Sequence, residues 1–264
     1  MTNSIKAKIV RSVFTVKRKE FLTPNFIRVI FEITDEQCKM LTNVQEGSNN
    51  KIFIPPKGVL PTYFPTKELN NNSELVAVMR TYTNRKIDLI QKELVIDFVA
   101  HGETGPASAW AINANIGAPL GIAMKEAGRP LVGEADDFLL VGDATALPVI
   151  ASILENLPKD AHAKVILEVP THEDEMPIFS AANIEVEWLH NPNPEKGSRL
   201  AVKALAHQFQ NKDSVNFVYC AAEYSTVKEV REYFRKTLAW DSQLIYTSSY
   251  WKAGASEDAM EADR

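Results

Sequence analysis

The stretch DDFLLVGDATALPVIASILENL, residues 136–157, decides how the second half of the chain folds. An apolar run ends at Gly142, and a second apolar run with helical spacing begins a few residues later. A glycine at the end of a buried strand lets the chain turn sharply, and the following helix presents unpaired amides at its first turn. The stretch therefore predicts strand, tight turn and helix, although this pattern alone is common in α/β proteins and is not the G-x-G-x-x-G fingerprint.

Downstream of this stretch, strands continue to alternate with helices. AKVILEVP, IEVEWLH and VNFVYCAAE have the apolar, β-branched composition of buried strands. RLAVKALAHQF and STVKEVREYFRKTL have helical spacing, and Ser225 is the predicted N-cap of the second. This order predicts a doubly wound parallel sheet. The polar tail, residues 254–264, is predicted to be a frayed helix.

Upstream, residues 9–120 follow a different pattern. The runs IVRSVFTVKRKEF, FIRVIFEI, KIFIPP, LVAVMRTYT and LVIDFVAH are short, rich in β-formers and separated by turn-rich segments. They predict an antiparallel sheet or barrel, with one short helix at residues 35–41 and loops at 43–50 and 65–74. The predicted division places a β-barrel domain at residues 1–132 and an α/β domain at 133–264.

Composition excludes several classes of protein. The chain has 264 residues, 45% of them hydrophobic and 24% charged, which is typical of soluble globular proteins. Its net charge of −5 disfavours a nucleic-acid partner. Cys38 and Cys220 cannot form a disulfide framework and are expected to be buried, reduced thiols. The five histidines show no metal-ligand spacing, so no metal site is predicted. Without a signal peptide or a long apolar run, we expect a cytoplasmic protein with no membrane insertion.

Two segments of the first domain carry candidate binding residues. In MRTYTNR, residues 79–85, Arg80 and Tyr82 would share one face of a strand, so a cation and a flat ring would meet a ligand with a phosphate and a planar group. The alternative is a solvated edge strand whose charges prevent aggregation.

The second segment is VIDFVAHGETGPASAWA, residues 95–111. Gly105 and Pro106 bend the backbone before a short helix, whose N-terminus and Ser108 hydroxyl could hold a pyrophosphate. The alternative is an ordinary helix cap, with His101 and Trp110 packed against the protein.

Four motifs in order along nearly the whole chain resemble the siderophore-interacting proteins, a family of ferredoxin-reductase-like flavoenzymes. They are RTYTNR at residues 80–85, DFVAHGETGPASAWA at 97–111, LLVGDATALPVI at 139–150 and YWKAG at 250–254. The resemblance implies an N-terminal antiparallel, six-stranded-type FAD-binding β-barrel followed by a doubly wound, NAD(P)-binding-like domain. Two positions depart from the family pattern: Ala144 replaces an acidic residue, and Ala222 replaces a glycine.

The resemblance also implies roles for individual residues. Arg80 would hold an FAD phosphate, Tyr82 would stack on the isoalloxazine and Thr83 would approach its N5, while backbone groups of the second segment would complete the cradle. The implied cofactor-binding residues are Arg80, Tyr82, Thr83, Asp97, Val99, His101, Gly105, Ala107, Ser108 and Thr145. The implied substrate-binding residues are Lys51, Arg85 and Lys252. No side chain is expected to be catalytic, because electrons would pass through FAD.

The function implied is reduction of a ferric siderophore by an FAD-dependent oxidoreductase. Another flavin reductase of the superfamily and a non-catalytic siderophore carrier remain alternatives. NADH is the expected donor over NADPH, because the strand KVILEVP ends among the acids Glu168, Glu173, Asp174 and Glu175, which suit a ribose diol, and no arginine stands close in sequence. A solvated acidic loop is the alternative interpretation, and ferredoxin is a further possible donor.

Overall fold

A computed structural model describes residues 8–56, 64, 76–126, 128, 130–209 and 214–255. The chain divides into two compact units, Met1–Arg129 and Pro130–Arg264. The sequence placed this division after residue 132. Each unit has its own sheet and its own buried core.

The first unit is built on one antiparallel sheet. Its strands are β1 (Ile9–Thr23), β2 (Phe26–Glu32), β3 (Asn49–Ile54), β4 (Val78–Thr83), β5 (Lys86–Asp88), β6 (Glu93–Val99) and β7 (Pro119–Lys125), and its helices are α1 (Asp35–Leu41) and α2 (Pro106–Asn113). The strand order is β4-β3-β7-β1-β2-β6-β5. The sheet curls into a half-barrel, as β4 also approaches β6. The predicted antiparallel sheet is confirmed, and β5 and β7, which lie outside the five predicted runs, bring the strands among the described residues to seven.

Alternation of side chains explains why this sheet curls around a core. Along β1, Val10, Phe14 and Val16 are buried, whereas Arg11, Val13 and Thr15 are exposed. Helix α1 occupies the predicted residues 35–41 and begins with a capping box formed by Thr34 and Gln37.

The second unit is a parallel five-stranded sheet. Its strands are β8 (Asp137–Asp143), β9 (His162–Val169), β10 (Asn183–His190), β11 (Asn216–Glu223) and β12 (Ile245–Trp251), and its helices are α3 (Leu147–Glu155), α4 (Leu200–Ala206) and α5 (Tyr224–Glu232). The order β10-β9-β8-β11-β12 confirms the predicted doubly wound topology. The order reverses between β8 and β11, and ligands of such sheets bind outside the carboxyl ends of strands at this switch point.

Several local expectations require correction. The prediction of Ser225 as an N-cap is wrong, because Glu223 caps α5 and its carboxylate accepts the amide of Ser225. Strand β12 was not predicted. Both cysteines are free, but only Cys220 is buried, Cys38 being half-buried. The predicted loop at 65–74 and nearly all of the predicted terminal helix lie outside the described residues. Within the described part of the chain, every helix is too short or too polar to span a bilayer.

Candidate functional site

Three aromatic rings connect the R-x-Y-T strand to helix α2. The Tyr82 ring on β4 lies 4.5 Å from the Phe98 ring on β6, centroid to centroid, and Phe98 lies 5.7 Å from Trp110 on α2. Trp110 packs against the core, as its alternative interpretation held. Strand β4 and α2 are distant in sequence, but this row of rings places both on the same part of the first unit.

A buried amide network fixes the end of β4. The Asn50 side-chain amide donates to Asn84 Oδ1 at 2.8 Å, and the Asn84 amide donates to Ser48 Oγ at 3.0 Å. Thr83, expected near the flavin N5, is buried here with 4% of its surface exposed. On the neighbouring β3, the half-buried Lys51 pairs in register with Thr81 of β4. The network therefore gives β4 a fixed position from which Arg80 and Tyr82 project.

The carboxylate of Asp97 is occupied by arginine. Arg28 donates to both of its oxygens at 2.7 Å, and Arg85 Nε lies 4.0 Å from one of them. Asp97 therefore has only its backbone to offer a cofactor, which is the role the resemblance implies. Arg85, expected to hold substrate, has a side chain only 12% exposed and lies beside this carboxylate. Sequence reasoning missed Arg28, although it stands opposite Asp97 in the β2–β6 register.

The loop at residues 101–108 closes on itself before α2. The His101 amide donates to Ser108 Oγ at 3.1 Å, and that hydroxyl donates to the Gly102 carbonyl at 2.6 Å. A Cβ at Gly105 would lie 2.5 Å from His101 Cε1, so a side chain at residue 105 would displace the exposed imidazole from its position over the loop. Ser108 is buried, and both of these hydrogen bonds of its hydroxyl are made within the loop.

Helix α2 is suited to an anion through its backbone. Gly105 is its N-cap and provides no side-chain hydrogen bond, and Pro106 follows at the helix start. The amides of the first turn, such as that of Ala107, find no acceptor inside the helix and attract a phosphate. The expected pyrophosphate contact therefore falls to amides rather than to the Ser108 hydroxyl.

The corresponding loop of the second unit is organised around a buried carboxylate. Asp143 Oδ1 accepts the amide and hydroxyl of Thr145 at 2.9 and 2.5 Å, and Oδ2 accepts the Glu223 amide at 2.9 Å and Trp251 Nε1 at 2.7 Å. Burial raises the pKa of Asp143, and these hydrogen bonds oppose that rise. Thr145, implied to bind cofactor, thus donates its hydroxyl to the protein.

The same network fixes the YWKAG segment. Trp251 reaches Asp143, and the Ala253 amide donates to Glu223 Oε1 at 3.2 Å. Although burial alone would raise the pKa of Glu223, hydrogen bonds from Ser225 and from backbone amides outweigh it and lower that pKa. Lys252 stands between the two anchors, is exposed, and its ammonium lies 5.2 Å from the Tyr224 ring centroid. The lysine therefore projects from a fixed backbone at the switch point.

The acids at the end of β9 have protein partners. Glu168 accepts from Asn191 at 3.0 Å and from Ser198 at 2.8 Å, while Asp174 is fully buried and accepts from Thr171. Glu175 is contacted by two histidines. Exposed Arg199 directly follows Ser198, the partner of Glu168, so an arginine distant in sequence stands one residue from this group of acids.

The architecture of an antiparallel sheet followed by a doubly wound sheet is that of the ferredoxin-reductase-like flavoenzymes. A ferredoxin NADP+ reductase from Neisseria gonorrhoeae, solved with bound FAD and NADP, superimposes with a TM-score of 0.59 over 91% of this chain and 98% of that one. Its 12% identity shows the shared fold alone.

The family is shown by matches to both units. Residues 15–127 match the siderophore-interacting FAD-binding domain, and residues 135–254 match the siderophore-interacting protein family. The chain belongs to the siderophore-interacting proteins.

Individual relatives agree with this assignment. The ferric vibriobactin reductase ViuB of Vibrio cholerae is 31% identical over all of this chain and 97% of its own length. The crystal structure of the siderophore-interacting protein SipS from Aeromonas hydrophila has a TM-score of 0.81 and 27% identity, covering 96% of each chain. These likenesses support an oxidoreductase with an FAD-binding first domain.

Proposed function

We propose that this protein is an FAD-dependent ferric-siderophore reductase that reduces Fe(III) to Fe(II) and so releases iron in the cytoplasm. The observation that carries the proposal is the row of rings from Tyr82 through Phe98 to Trp110. It brings the R-x-Y-T strand and an uncapped helix N-terminus together in a unit that matches a siderophore-interacting FAD-binding domain.

The residues of the first unit fit FAD by their chemistry. Arg80 supplies a cation, Tyr82 supplies a half-buried flat ring, and the first-turn amides of α2 supply donors for a pyrophosphate. Backbone groups at Val99 and His101 lie on the segment between β6 and α2 and would complete the cradle. When bound, FAD supplies the conversion between the two-electron chemistry of a nicotinamide and the one-electron reduction of iron.

The chain's own part is to hold and orient. Phe98 supports one side of Tyr82, so the tyrosine ring keeps its position when a planar group stacks on it. The Arg28–Asp97 pair fixes β6 against β2, and the closed loop at 101–108 fixes the start of α2. An electron transfer of this kind needs no general base.

The proposed substrate contacts are made by lysine. A ferric siderophore with catecholate or carboxylate groups is often anionic, so a protein of net charge −5 needs local cations to hold it. Lys51 on β3 and Lys252 after β12 are the proposed cations. Arg85 contributes less, because its side chain is only 12% exposed.

NADH is the proposed electron donor. Glu173 is exposed and Glu175 is half-buried just after β9, so a 2′-phosphate would meet negative charge there, although Glu168 and Asp174 are buried. Exposed Arg199 opposes this preference. Stopped-flow reduction of the bound flavin by NADH and by NADPH, in wild type and in Arg199→Ala, tests the choice. Faster reduction by NADPH would reverse it, and reduction by ferredoxin alone would exclude both nicotinamides.

The reductase activity itself is tested anaerobically. The FAD-loaded protein is first bleached with NADH, and a ferric siderophore is then added with a coloured Fe(II) chelator present. We expect flavin absorbance to return as the Fe(II) complex appears. A protein that binds the siderophore without either change is a carrier, and one that cannot be loaded with FAD contradicts the proposal.

A further inference from the structure

A surface cluster on the second unit combines two imidazoles and a carboxylate. His172 and Glu175 belong to the turn that follows β9, and His190 is the last residue of β10. The ligand atoms of all three residues lie within 4.8 Å of one another. We propose that His172, Glu175 and His190 bind one divalent first-row transition-metal ion on the second unit.

The distances suit a single ion. His172 Nδ1 lies 3.1 Å and His190 Nε2 lies 2.8 Å from Glu175 Oε1. Ligands about 2.0–2.2 Å from a tetrahedral zinc stand about 3.4 Å apart, so each histidine nitrogen has to move only a few tenths of an ångström from Glu175 Oε1 to admit the ion. The two rings have centroids 5.8 Å apart, and the His172 side chain is 82% exposed and can rotate to close the remaining gap.

The backbone that carries the ligands is already fixed. Asp174 is fully buried, and its carboxylate accepts the amide and hydroxyl of Thr171 at 3.1 and 2.8 Å. Strands β9 and β10 are paired in parallel up to the pair Val169 and His190. The metal would therefore order only three side chains, and the turn and the strand end that carry them keep their shape without the metal.

The donor set selects a class of ion rather than one element. Imidazole nitrogen with one carboxylate suits zinc, iron, cobalt and nickel, whereas magnesium and calcium prefer oxygen ligands throughout. Three protein ligands also leave a coordination position open, as in catalytic rather than structural zinc sites. Sequence reasoning missed the cluster because His190 comes from the next strand.

Zinc and cobalt are the probes for the experiment. Zn²⁺ is titrated calorimetrically into the full-length protein, and Co²⁺ binding is followed by its visible absorption, with Mg²⁺ as a negative control. The ligand variants are His172→Ala, Glu175→Gln and His190→Ala. Glu173→Gln is the matched control, since it removes an exposed neighbouring charge that is not in the cluster.

We expect one Zn²⁺ bound per cluster, with each ligand variant losing about tenfold or more in affinity, since even second-shell changes cost about 10–100-fold. Glu173→Gln should bind like the wild type. The proposal is overturned if the wild type does not bind Zn²⁺, or if the ligand variants bind as tightly as the control, which would place the ion elsewhere. Because binding is read without substrate or flavin turnover, either result leaves the reductase test unaffected.

Discussion

The loops that precede α2 and α3 look alike in sequence but differ in what they offer a ligand. Both lead into a helix with proline at its start and no side-chain cap. In the first unit, the buried polar group inside the loop is the uncharged Ser108 hydroxyl, and the loop's carboxylate, Glu103, is exposed and accepts from Asn113. In the second, it is the buried carboxylate of Asp143.

Because of this difference, we expect the N-terminus of α2 and the N-terminus of α3 to have different functions. A phosphate approaching α2 meets backbone amides, whereas one approaching α3 meets a carboxylate that already accepts an amide from Thr145. Asp143 instead joins three strand ends, because it binds Glu223 at the end of β11 and Trp251 at the end of β12. We therefore predict that a glycine–helix turn serves as an anion site in the first unit, whereas in the second unit it is a structural junction.

The largest expected effect comes from breaking that junction. Asp143→Ala leaves the Glu223 amide and the Trp251 indole without their acceptor, at a cost of about 1–3 kcal/mol for each buried donor. We expect a loss of about 3 kcal/mol or more in the free energy of unfolding of the second unit, measured by chemical denaturation. Asp160→Ala, which removes an exposed carboxylate from the same unit, is the control. If folded Asp143→Ala protein lost FAD as readily as an Arg80 variant, the proposed separation of roles would fail.

The corresponding experiment on the first unit removes Arg80, the cation proposed to hold the FAD phosphate. Arg80→Ala should weaken FAD binding by about 1.5–3 kcal/mol, the value of a charge-assisted contact, with little change in stability. Retention of FAD after dialysis measures the effect, and Arg11→Ala, an exposed arginine of the same sheet, provides the control. Tyr82→Ala should also loosen FAD, whereas Tyr82→Phe should retain it. Full FAD occupancy in both Arg80→Ala and Tyr82→Ala would contradict the proposal that the first unit binds FAD.

The sequence predicted what depends on local pattern. Strand and helix alternation after residue 136 is a local signal, and it gave the parallel sheet correctly. Strand β12 escaped because its sequence IYTSSYW is half-buried throughout, with no alternation of apolar and polar residues. The motif at Arg80 and Tyr82 is also local, and the roles it gives these residues stay predictions.

The sequence could not show contacts between residues that are separated along the chain. The Asp143–Trp251 hydrogen bond, the Arg28–Asp97 pair and the row of rings each join segments far apart in the chain. For the same reason, the acids after β9 looked available for a ribose, although Glu168 is held by Asn191 and Ser198.

A pair of glycine substitutions sharpens the comparison between loops. A Cβ at Gly105 would meet His101 Cε1 at 2.5 Å, and one at Gly142 would meet Ile150 Cδ1 at 2.5 Å. Gly142→Ala should cost about 1–3 kcal/mol of stability, the usual range for overpacking, whereas Gly105→Ala should cost less because the exposed His101 ring can move. Gly105→Ala should mainly lower FAD affinity, and Gly142→Ala should mainly lower stability. Adding His101→Ala should restore FAD binding to Gly105→Ala, because it removes the clash. No rescue would show that His101 itself contributes to the site.

Acid should also affect the two units differently. The hydrogen bond from Arg18 lowers the pKa of Glu93 from 4.5 to about 2, so the stability it gives the first unit is present above pH 4.5 and is lost as the pH falls towards 2. Burial raises the pKa of Asp143 above 3.8, so its effect has the opposite sign: protonation favours the folded second unit at low pH, and this stabilisation is lost as the pH rises through the raised value. Urea unfolding at a series of pH values measures both.

Glu93→Gln should flatten the acid dependence of the first unit, whereas Glu20→Gln, which removes the other acidic partner of Arg18, should not. An unchanged profile in Glu93→Gln would contradict the assignment.

The smallest expected effect concerns the two lysines, one on each unit. Exposed ion pairs are worth roughly 0.2–1 kcal/mol, so Lys51→Ala and Lys252→Ala should each raise the KM for an anionic ferric siderophore by a few-fold at most. FAD content should not change, because neither lysine is proposed to hold the cofactor. Lys125→Ala and Lys228→Ala remove one exposed charge from each unit and serve as matched controls. The difference between variants and wild type should shrink at high salt, where the wild-type attraction is itself screened.

If only Lys252→Ala raises KM, the chelate is held by the switch-point end of the second sheet. If only Lys51→Ala raises KM, the chelate is held by the sheet proposed to bind flavin. Wild-type KM in the double variant would exclude both lysines as the substrate cations.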